Sequence, residues 1–278
     1  MILVFAAVLV WAAGWWLNTR LAAGQGRTAR LLPPFVFGLT LLLVWELLVR
    51  GLAVPGVILP APSAIGARLT GSGEVLWDDF VQTFVLGALT GYAIGCGSAF
   101  LVAILADRSR FFRAGILPVG NFVAALPIIG MAPIFVMWFG FGWQSKAAVV
   151  AVMCFFPMLV NTVQGFASTD RMQEDLMRTY AASPRQRLLK LRLPAAAPFI
   201  FNGLKICTTL ALIGAIVAEF FGSPTYGMGF RISTEVGRLA LDMVWAVIAV
   251  AALAGAGFYG AVALLERAAT FWHPSQRG

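Results

Sequence analysis

Cysteine and histidine are the side chains best suited to hold a metal ion or to act as nucleophiles, and this chain has few of them. The three cysteines, Cys96, Cys154 and Cys207, lie within long apolar runs, and no two of them have CxxC spacing. The single histidine, His273, lies in a polar stretch without other candidate ligands. We therefore predict that the cysteines are small packing residues, and we predict no metal site and no catalytic residue.

Lysine could serve a nucleotide-binding loop, which needs a GxxxxGK sequence followed by Ser or Thr to hold phosphates. The three lysines, Lys146, Lys190 and Lys205, are followed by Ala, Leu and Ile. The chain therefore lacks this motif, and we predict that it binds no cofactor and is not an enzyme.

Charged residues are concentrated in RTYAASPRQRLLKLRLP, residues 178–194, which stands between two apolar runs. Just before and within it, Arg171, Asp175 and Arg178 occur at i, i+4 and i+7 and so share one face of a predicted short helix. On charge alone, the segment could equally be an amphipathic loop that touches anionic lipid.

A second short helix is predicted to begin within the same stretch. Ser183 has the features of an N-cap, with Pro184 at the first helical position and Gln186 placed to return the capping bond. We expect Pro194 to stop this helix or to redirect it into the next apolar run.

The elements that position these residues are apolar helices. The chain is 60% hydrophobic and 12% charged, far from the roughly 25% charged residues of soluble domains. Runs long enough to cross a bilayer recur, and only helices or closed barrels satisfy their backbone in lipid. We predict an all-α polytopic membrane protein with seven spans, at about 1–17, 34–53, 81–106, 114–139, 146–167, 196–221 and 241–265.

Basic residues predict the orientation, because Lys and Arg favour the cytoplasmic side of a membrane. If residues 18–33 are inside, then 107–113, 168–195 and the C-terminal tail are inside too, and fifteen of the twenty Lys and Arg lie on that side or at its border. The net charge of +8 then needs no nucleic-acid partner. Residues 54–80, with a short surface helix ending at Asp79, and residues 222–240 form the longer outer connections.

Several segments resemble the permease subunits of ABC importers. In DLMRTYAASPRQRLLKLRLP, residues 175–194, Asp175 matches the acidic position of the family's signature loop, Ala181 stands where glycine is usual, Leu191 replaces isoleucine, and Leu193-Pro194 match. The resemblance to permeases of sulfonate, taurine, nitrate and pyrimidine-precursor importers covers about residues 34–267. It includes ILPAPSAI (58–65), LPIIGMAPIFVMWFGFGWQSK (126–146), FFPMLVNTVQG (155–165) and ALIGAIVAEFFGS (211–223).

The resemblance implies a six-helix type I importer permease core in a bacterial cytoplasmic (inner) membrane, with one extra N-terminal transmembrane helix. In this interpretation residues 1–33 are the extra helix and a cytoplasmic linker, 34–267 are the permease domain, and 268–278 are a cytoplasmic tail. The loop at 168–195 would be the coupling loop.

The partners implied by the resemblance are two ABC ATPase subunits that bind ATP and Mg, a second copy of this chain, an extracytoplasmic solute-binding protein, and the lipid bilayer. Because alanine replaces the usual glycine at position 181, we expect the turn there not to require positive φ. The residues implied in ATPase coupling are Asp175, Arg178, Ala181, Ala182, Ser183, Pro184, Leu191, Leu193 and Pro194.

Candidates for the translocation path come from broken or polar helical segments, which tend to line cavities in transporters. Pro127 and Pro133 interrupt the predicted fourth span, and Phe156 and Asn161 lie in the fifth. Glu219 carries a charge near the outer end of the sixth. Proline kinks also serve packing, and Glu219 fits a satisfied packing carboxylate or a contact with the binding protein better than a substrate ligand.

Two further patterns predict packing. Gly87, Gly91 and Gly95 form a doubled GxxxG that lets two helices approach closely, within the subunit or at a dimer seam. Glu46 and Arg50 have the spacing of an i, i+4 ion pair.

Three alternatives remain open from the sequence. The first apolar run could be a signal peptide, although no basic residue precedes it. The protein could be an ATP-independent secondary transporter or channel, or a membrane-embedded enzyme; neither an inverted repeat nor a cluster of catalytic residues supports these two classes.

Overall fold

The computed structural model describes residues 1–24, 26–108, 115 and 128–271, and its regular structure is helical throughout these ranges. In chain order the elements are α1 (Ile2–Ala22), α2 (Arg27–Gly51), α3 (Pro62–Gly71), α4 (Gly73–Phe80), a π-helical stretch (Val81–Leu89), α5 (Thr90–Arg108), a 3-10 turn (Ile128–Met131), α6 (Ala132–Phe139), α7 (Trp143–Ala167), α8 (Arg171–Thr179), α9 (Pro184–Arg187), a second π-helical stretch (Leu188–Arg192), α10 (Leu193–Phe220), α11 (Met228–Gly237) and α12 (Leu241–Ala269).

Six helices in the described part of the chain are long and apolar enough to cross a membrane. They correspond to six of the seven predicted spans, and the predicted all-α membrane fold is confirmed. Much of the other predicted span, 114–139, lies outside the described residues, and its final part forms the 3-10 turn and α6. The six helices cover Ile2–Ala22, Leu32–Gly51, Gly73–Asp107, Trp143–Ala167, Pro184–Phe220 and Leu241–Ala269.

The structure divides into two compact units, the first made of Met1–Leu76 and Ile232–Ala249. In this unit α1 and α2 pack as an antiparallel pair. A Cβ built on Gly14 would lie 3.0 Å from that of Thr40, and one built on Gly51 would lie 3.0 Å from that of Leu3. The extra N-terminal helix therefore has its packing partner in α2, whereas the proposed domain boundary at residue 33 stays a prediction.

The predicted pair of Glu46 and Arg50 is confirmed in the same unit, with Arg50 Nε 2.5 Å from Glu46 Oε1. Glu46 also accepts a hydrogen bond of 2.9 Å from the backbone N–H of Ser63, near the start of α3. The pair therefore ties the short helix α3 to the end of α2, which is a structural role.

The second unit consists of Trp77–Arg231 and Val250–Gly278, and its core lies where α5, α7 and α10 meet. The glycines of the GxxxG pattern face α7: a Cβ on Gly91 would lie 2.6 Å from the carbonyl oxygen of Ala147, and one on Gly95 would lie 2.9 Å from the Cα of Ala151. The pattern therefore serves packing within the subunit, because any side chain there would separate the two helices.

Of the two outcomes expected for Pro194, a stop of the helix is wrong, because the helix continues into α10. The helix runs without interruption from Pro184 to Phe220. Leu188–Arg192 adopt the wider π geometry, and the backbone N–H of Leu193 bonds to the carbonyl of Leu188. Because Pro194 follows directly in the first turn of α10, the change of register accommodates a residue that has no N–H to donate.

Candidate functional site

The basic loop, residues 168–195, folds as the predicted helix-turn-helix. Its first helix, α8, begins at Asp170, whose carboxylate accepts a hydrogen bond of 3.1 Å from the backbone N–H of Met172. Its second helix, α9, begins at Ser183. The predicted capping box is confirmed, because Ser183 Oγ accepts from the Gln186 N–H at 3.3 Å and Gln186 Oε1 accepts from the Ser183 N–H at 2.8 Å.

The turn between these helices contradicts the expectation for Ala181, which has a φ of 50°. The N–H of Ala181 bonds to the carbonyl of Arg178 at 2.8 Å, and the N–H of Ala182 bonds to that of Met177 at 2.9 Å. These two bonds form a Schellman motif, which requires a left-handed residue directly after the C-cap. The closing bonds impose positive φ on position 181 whichever residue occupies it, so alanine bears the strain that glycine would avoid.

Arg192 holds the basic loop against the body of the second unit. Its Nε donates to Glu174 Oε1 on α8 at 2.6 Å, and its Nη1 pairs with Asp107 near the end of α5. Arg187 Nη1 lies 3.8 Å from the other carboxylate oxygen of Glu174. The hydrogen bond from Arg192 outweighs partial burial and lowers the pKa of Glu174 below its ordinary value. The cluster was not predicted from the sequence, because its members come from four separate elements.

Apart from Glu174 and Met177, the residues of α8 are exposed. Asp175 and Arg178 form an ion pair of 3.4 Å with side chains 71% and 68% exposed, and an exposed pair of this kind contributes only a few tenths of a kcal/mol to stability. Met172, Leu176 and Tyr180 are 77%, 56% and 77% exposed. Large apolar side chains at the tip of a loop, interspersed with charge, are typical of a contact surface for another protein.

A cavity of about 690 Å³ lies beside α9. Arg185, Arg187 and Arg192 line it, and their guanidinium groups carry hydrogen-bond donors. The cavity therefore combines room for a protruding side chain with donors for an acidic one. Its lining includes Asp107, Ser183, Pro184, Arg185, Arg187, Leu188 and Arg192.

The remaining predicted coupling residues lie at the root of the basic loop. Leu191, Leu193 and Pro194 are half-buried, and Leu193 packs on the core of the second unit. These residues fix the loop to α10, whereas Asp175 and Arg178 are presented outward.

Glu219 belongs to a buried hydrogen-bond network and is only 2% exposed. Its carboxylate accepts from Thr83 Oγ1 at 2.9 Å and from the Gly229 N–H at 2.7 Å, and Thr83 Oγ1 accepts from the Met228 N–H at 2.7 Å. The network fixes the first residues of α11, where a carboxylate also complements the positive end of the helix dipole. This placement matches a satisfied packing carboxylate.

Asp79 extends the polar packing around the same segment, although sequence analysis placed it on a surface helix. It is fully buried, and its carboxylate accepts from Arg231 Nε at 2.8 Å and from the Gly227 N–H at 2.7 Å. Alternating polarity alone could not reveal a partner 152 residues away in the chain.

The other predicted path residues are dispersed. Pro127 lies outside the described residues, and Pro133 is an exposed residue in the first turn of α6 rather than a mid-helix break. Phe156 stacks edge-on against Phe155, with 4.9 Å between the ring centroids. Asn161 Oδ1 accepts from Asn202 Nδ2 on α10 at 3.0 Å, and Asn202 is exposed. Sequence analysis did not single out Asn202.

Comparison with known proteins shows which proteins this chain is similar to. Residues 91–270 match the family described as binding-protein-dependent transport system inner membrane component. The chain is 34% identical over 222 residues to a probable ABC transporter permease protein of Haemophilus influenzae, which covers 79% of this chain and 89% of that one. It is 31% identical over 250 residues to the formylaminopyrimidine transport permease protein ThiX of Halalkalibacterium halodurans, covering 90% and 99%.

Among solved structures, an inward-facing MetNI methionine ABC transporter has the same fold. A chain of it aligns with a TM-score of 0.55 and 20% identity, covering 71% of this chain and 95% of that one. The chain therefore belongs to the family of binding-protein-dependent transport system inner membrane components, as a multi-pass transport subunit of an importer whose ATPase and solute-binding protein are separate chains.

Proposed function

We propose that this chain forms the translocation path of an ABC importer as a homodimer and that each copy binds one ATPase subunit through the basic loop. The proposal rests on one observation, that one part of the basic loop is anchored while another part is exposed. Arg192 anchors it through Glu174 and Asp107, while Asp175, Arg178 and the apolar side chains of α8 remain exposed. An anchored loop with an uncovered apolar and charged tip can transmit the movement of a partner to the helices behind it.

The proposed cargo is a small polar solute of the sulfonate, taurine, nitrate or aminopyrimidine-like class. Its support is similarity to ThiX, to the putative aliphatic sulfonates transport permease protein SsuC of Bacillus subtilis, which is 29% identical, and to the taurine transport system permease protein TauC of Escherichia coli, which is 27% identical. Within the chain, the contact between Asn161 and Asn202 supplies amide groups suited to such a solute, because polar groups within spans usually face a cavity or the bundle interior.

The test is an exchange of charges in which Asp175→Arg is combined with Arg178→Asp. The exchange keeps an opposite-charge pair on α8, so the helix should remain folded, but it reverses the field that a partner meets. One like-charge juxtaposition should weaken ATPase association about tenfold, or ~1.4 kcal/mol. Copurification with the ATPase, and stimulation of its hydrolysis by the binding protein, provide the measurements.

The matched control exchanges Arg68 and Asp242, another exposed pair, at 3.0 Å, in the first unit. It should leave copurification of the ATPase unchanged. If the exchange at Asp175 and Arg178 also leaves both copurification and stimulation at the wild-type level, the assignment of the basic loop to coupling is wrong.

A further inference from the structure

We propose that Cys96, Cys154 and Cys207 form a binding site for one soft monovalent metal ion, Cu(I) or an ion of the same class. Their three Sγ atoms all lie within 4.8 Å of one another. The residues come from α5, α7 and α10, and they are the only cysteines in the chain. Sequence analysis treated them as separate packing residues, because nothing in their spacing shows that three helices meet at one point.

The geometry fits a three-coordinate sulfur site. An ion held in a trigonal plane at about 2.3 Å from each sulfur needs sulfur atoms roughly 4 Å apart, so the thiols need to move by less than about 1 Å. Reciprocal bonds already orient two of them: Cys154 Sγ donates to the Cys207 carbonyl at 3.6 Å, and Cys207 Sγ donates to the Cys154 carbonyl at 3.3 Å.

Burial selects both the charge and the type of ion. Cys96 is 5% exposed and the other two are fully buried within an apolar core that includes Ala99, Val150 and Ala211. Because net charge is costly there, the bound state must be close to neutral. A monovalent ion bound by one thiolate and two neutral thiols meets this requirement, and its binding releases one proton.

The three sulfur ligands also favour soft metal ions over the more common Mg²⁺, Mn²⁺ and zinc ions. Thiolate ligands select Cu(I), whereas Mg²⁺ and Mn²⁺ prefer oxygen ligands. Structural zinc requires four ligands, and this cluster offers three among the described residues. A bound soft ion would join three membrane spans that otherwise pack there as apolar helices.

The experiment uses the full chain in lipid nanodiscs and Ag(I), which binds as Cu(I) does and avoids its redox chemistry. Wild type should bind one Ag(I) per chain and gain thermal stability, while Mn(II) should give neither effect. Cys96→Ala, Cys154→Ala and Cys207→Ala should each weaken binding at least about tenfold, the effect of losing one good ligand or its support. The triple alanine variant keeps all nine methionines, so it measures the Ag(I) binding that is due to methionine thioethers alone.

Equal affinity in the wild type and the triple variant would overturn the proposal, as would dependence on a single cysteine. X-ray absorption of the wild-type chain with one equivalent of Ag(I) gives a test that needs no variant to fold. A first shell of sulfur atoms is expected, and a shell of oxygen or nitrogen would contradict the site.

Discussion

Arg192 and Glu174 are 18 residues apart in the chain, and Arg192 Nε lies 2.6 Å from Glu174 Oε1. Their hydrogen bond closes the basic loop on itself, because Glu174 belongs to the first helix of the loop and Arg192 to its root. The ion pair of Arg192 with Asp107 then joins that closed loop to α5. The position of the exposed tip is therefore set by charge interactions behind it.

The anchoring by Glu174 predicts a pH dependence of the loop. Since the pKa of Glu174 is lowered in the folded protein, its stabilisation is fully present well above the ordinary glutamate pKa of about 4.3 and is lost as the pH falls through that value toward the lowered pKa. Hydrogen exchange in α8, corrected for intrinsic rates, should show constant protection from pH 7 to about 5 and falling protection below that. Glu174→Gln should remove this dependence, and its persistence in that variant would assign the effect to another group.

Ala181→Gly should stabilise the turn of the basic loop. A non-glycine residue in the left-handed region costs roughly 1–2 kcal/mol, which glycine would avoid. Glycine also increases the conformational entropy of the unfolded chain, and this offsets part of the stabilisation. We expect a net gain of up to about 1 kcal/mol in the local stability of the turn, read from hydrogen exchange of the Ala181 and Ala182 amides. Ala182→Gly, at a position without positive φ, should give no gain; equal gains would rule out backbone strain as the cause.

Gly95→Ala should disturb the contact between α5 and α7, because the added Cβ would lie 2.9 Å from the Cα of Ala151, a backbone atom that cannot rotate away. We expect a loss of about 1–3 kcal/mol, the usual range for overpacking, seen as a lower unfolding temperature in detergent. Gly97→Ala on the same helix meets nothing within 4 Å and should be neutral or slightly stabilising. Equal effects of the two substitutions would contradict the assigned packing.

Gly227→Ala should destabilise the packing around Glu219. Gly227 has a φ of 127°, and a Cβ there would lie 2.6 Å from Glu219 Oε1. Strain and displacement of the buried carboxylate should together cost more than about 2 kcal/mol, measured as loss of folded protein on heating. Gly237→Ala, with open space around it, is the matched control and should behave as wild type.

Local signals in the sequence were sufficient for six of the seven predicted spans and for the start of α9. Apolar runs predict membrane-spanning helices because the backbone in lipid must satisfy its own hydrogen bonds. The start of α9 is predictable because Ser183 and Gln186 form the capping bonds with their own side chains and Pro184 suits the first helical position. The φ of Ala181 was predicted wrongly, because hydrogen bonds between neighbouring backbone groups override residue preference. Asp79 was misplaced for a different reason: its partner Arg231 comes from a distant part of the chain.

The same distinction applies to the candidate site. Asp175 and Arg178 could be predicted as a pair, since both lie on one helix face. The anchoring role of Arg192, the contact between Asn161 and Asn202, and the convergence of the three cysteines all depend on how separate helices pack. One sequence, read without the packed structure, contains no direct signal for such contacts.

The uninterrupted helix from Pro184 to Phe220 connects the basic loop directly to the buried network around Glu219. At about 1.5 Å per residue its 37 residues form a rod of roughly 55 Å. Ser183 lies just before one end, and Glu219, which secures the start of α11, lies at the other. A movement of the turn at Ser183 is therefore connected through one continuous helix to the carboxylate of Glu219, which accepts the hydrogen bond of the Gly229 N–H.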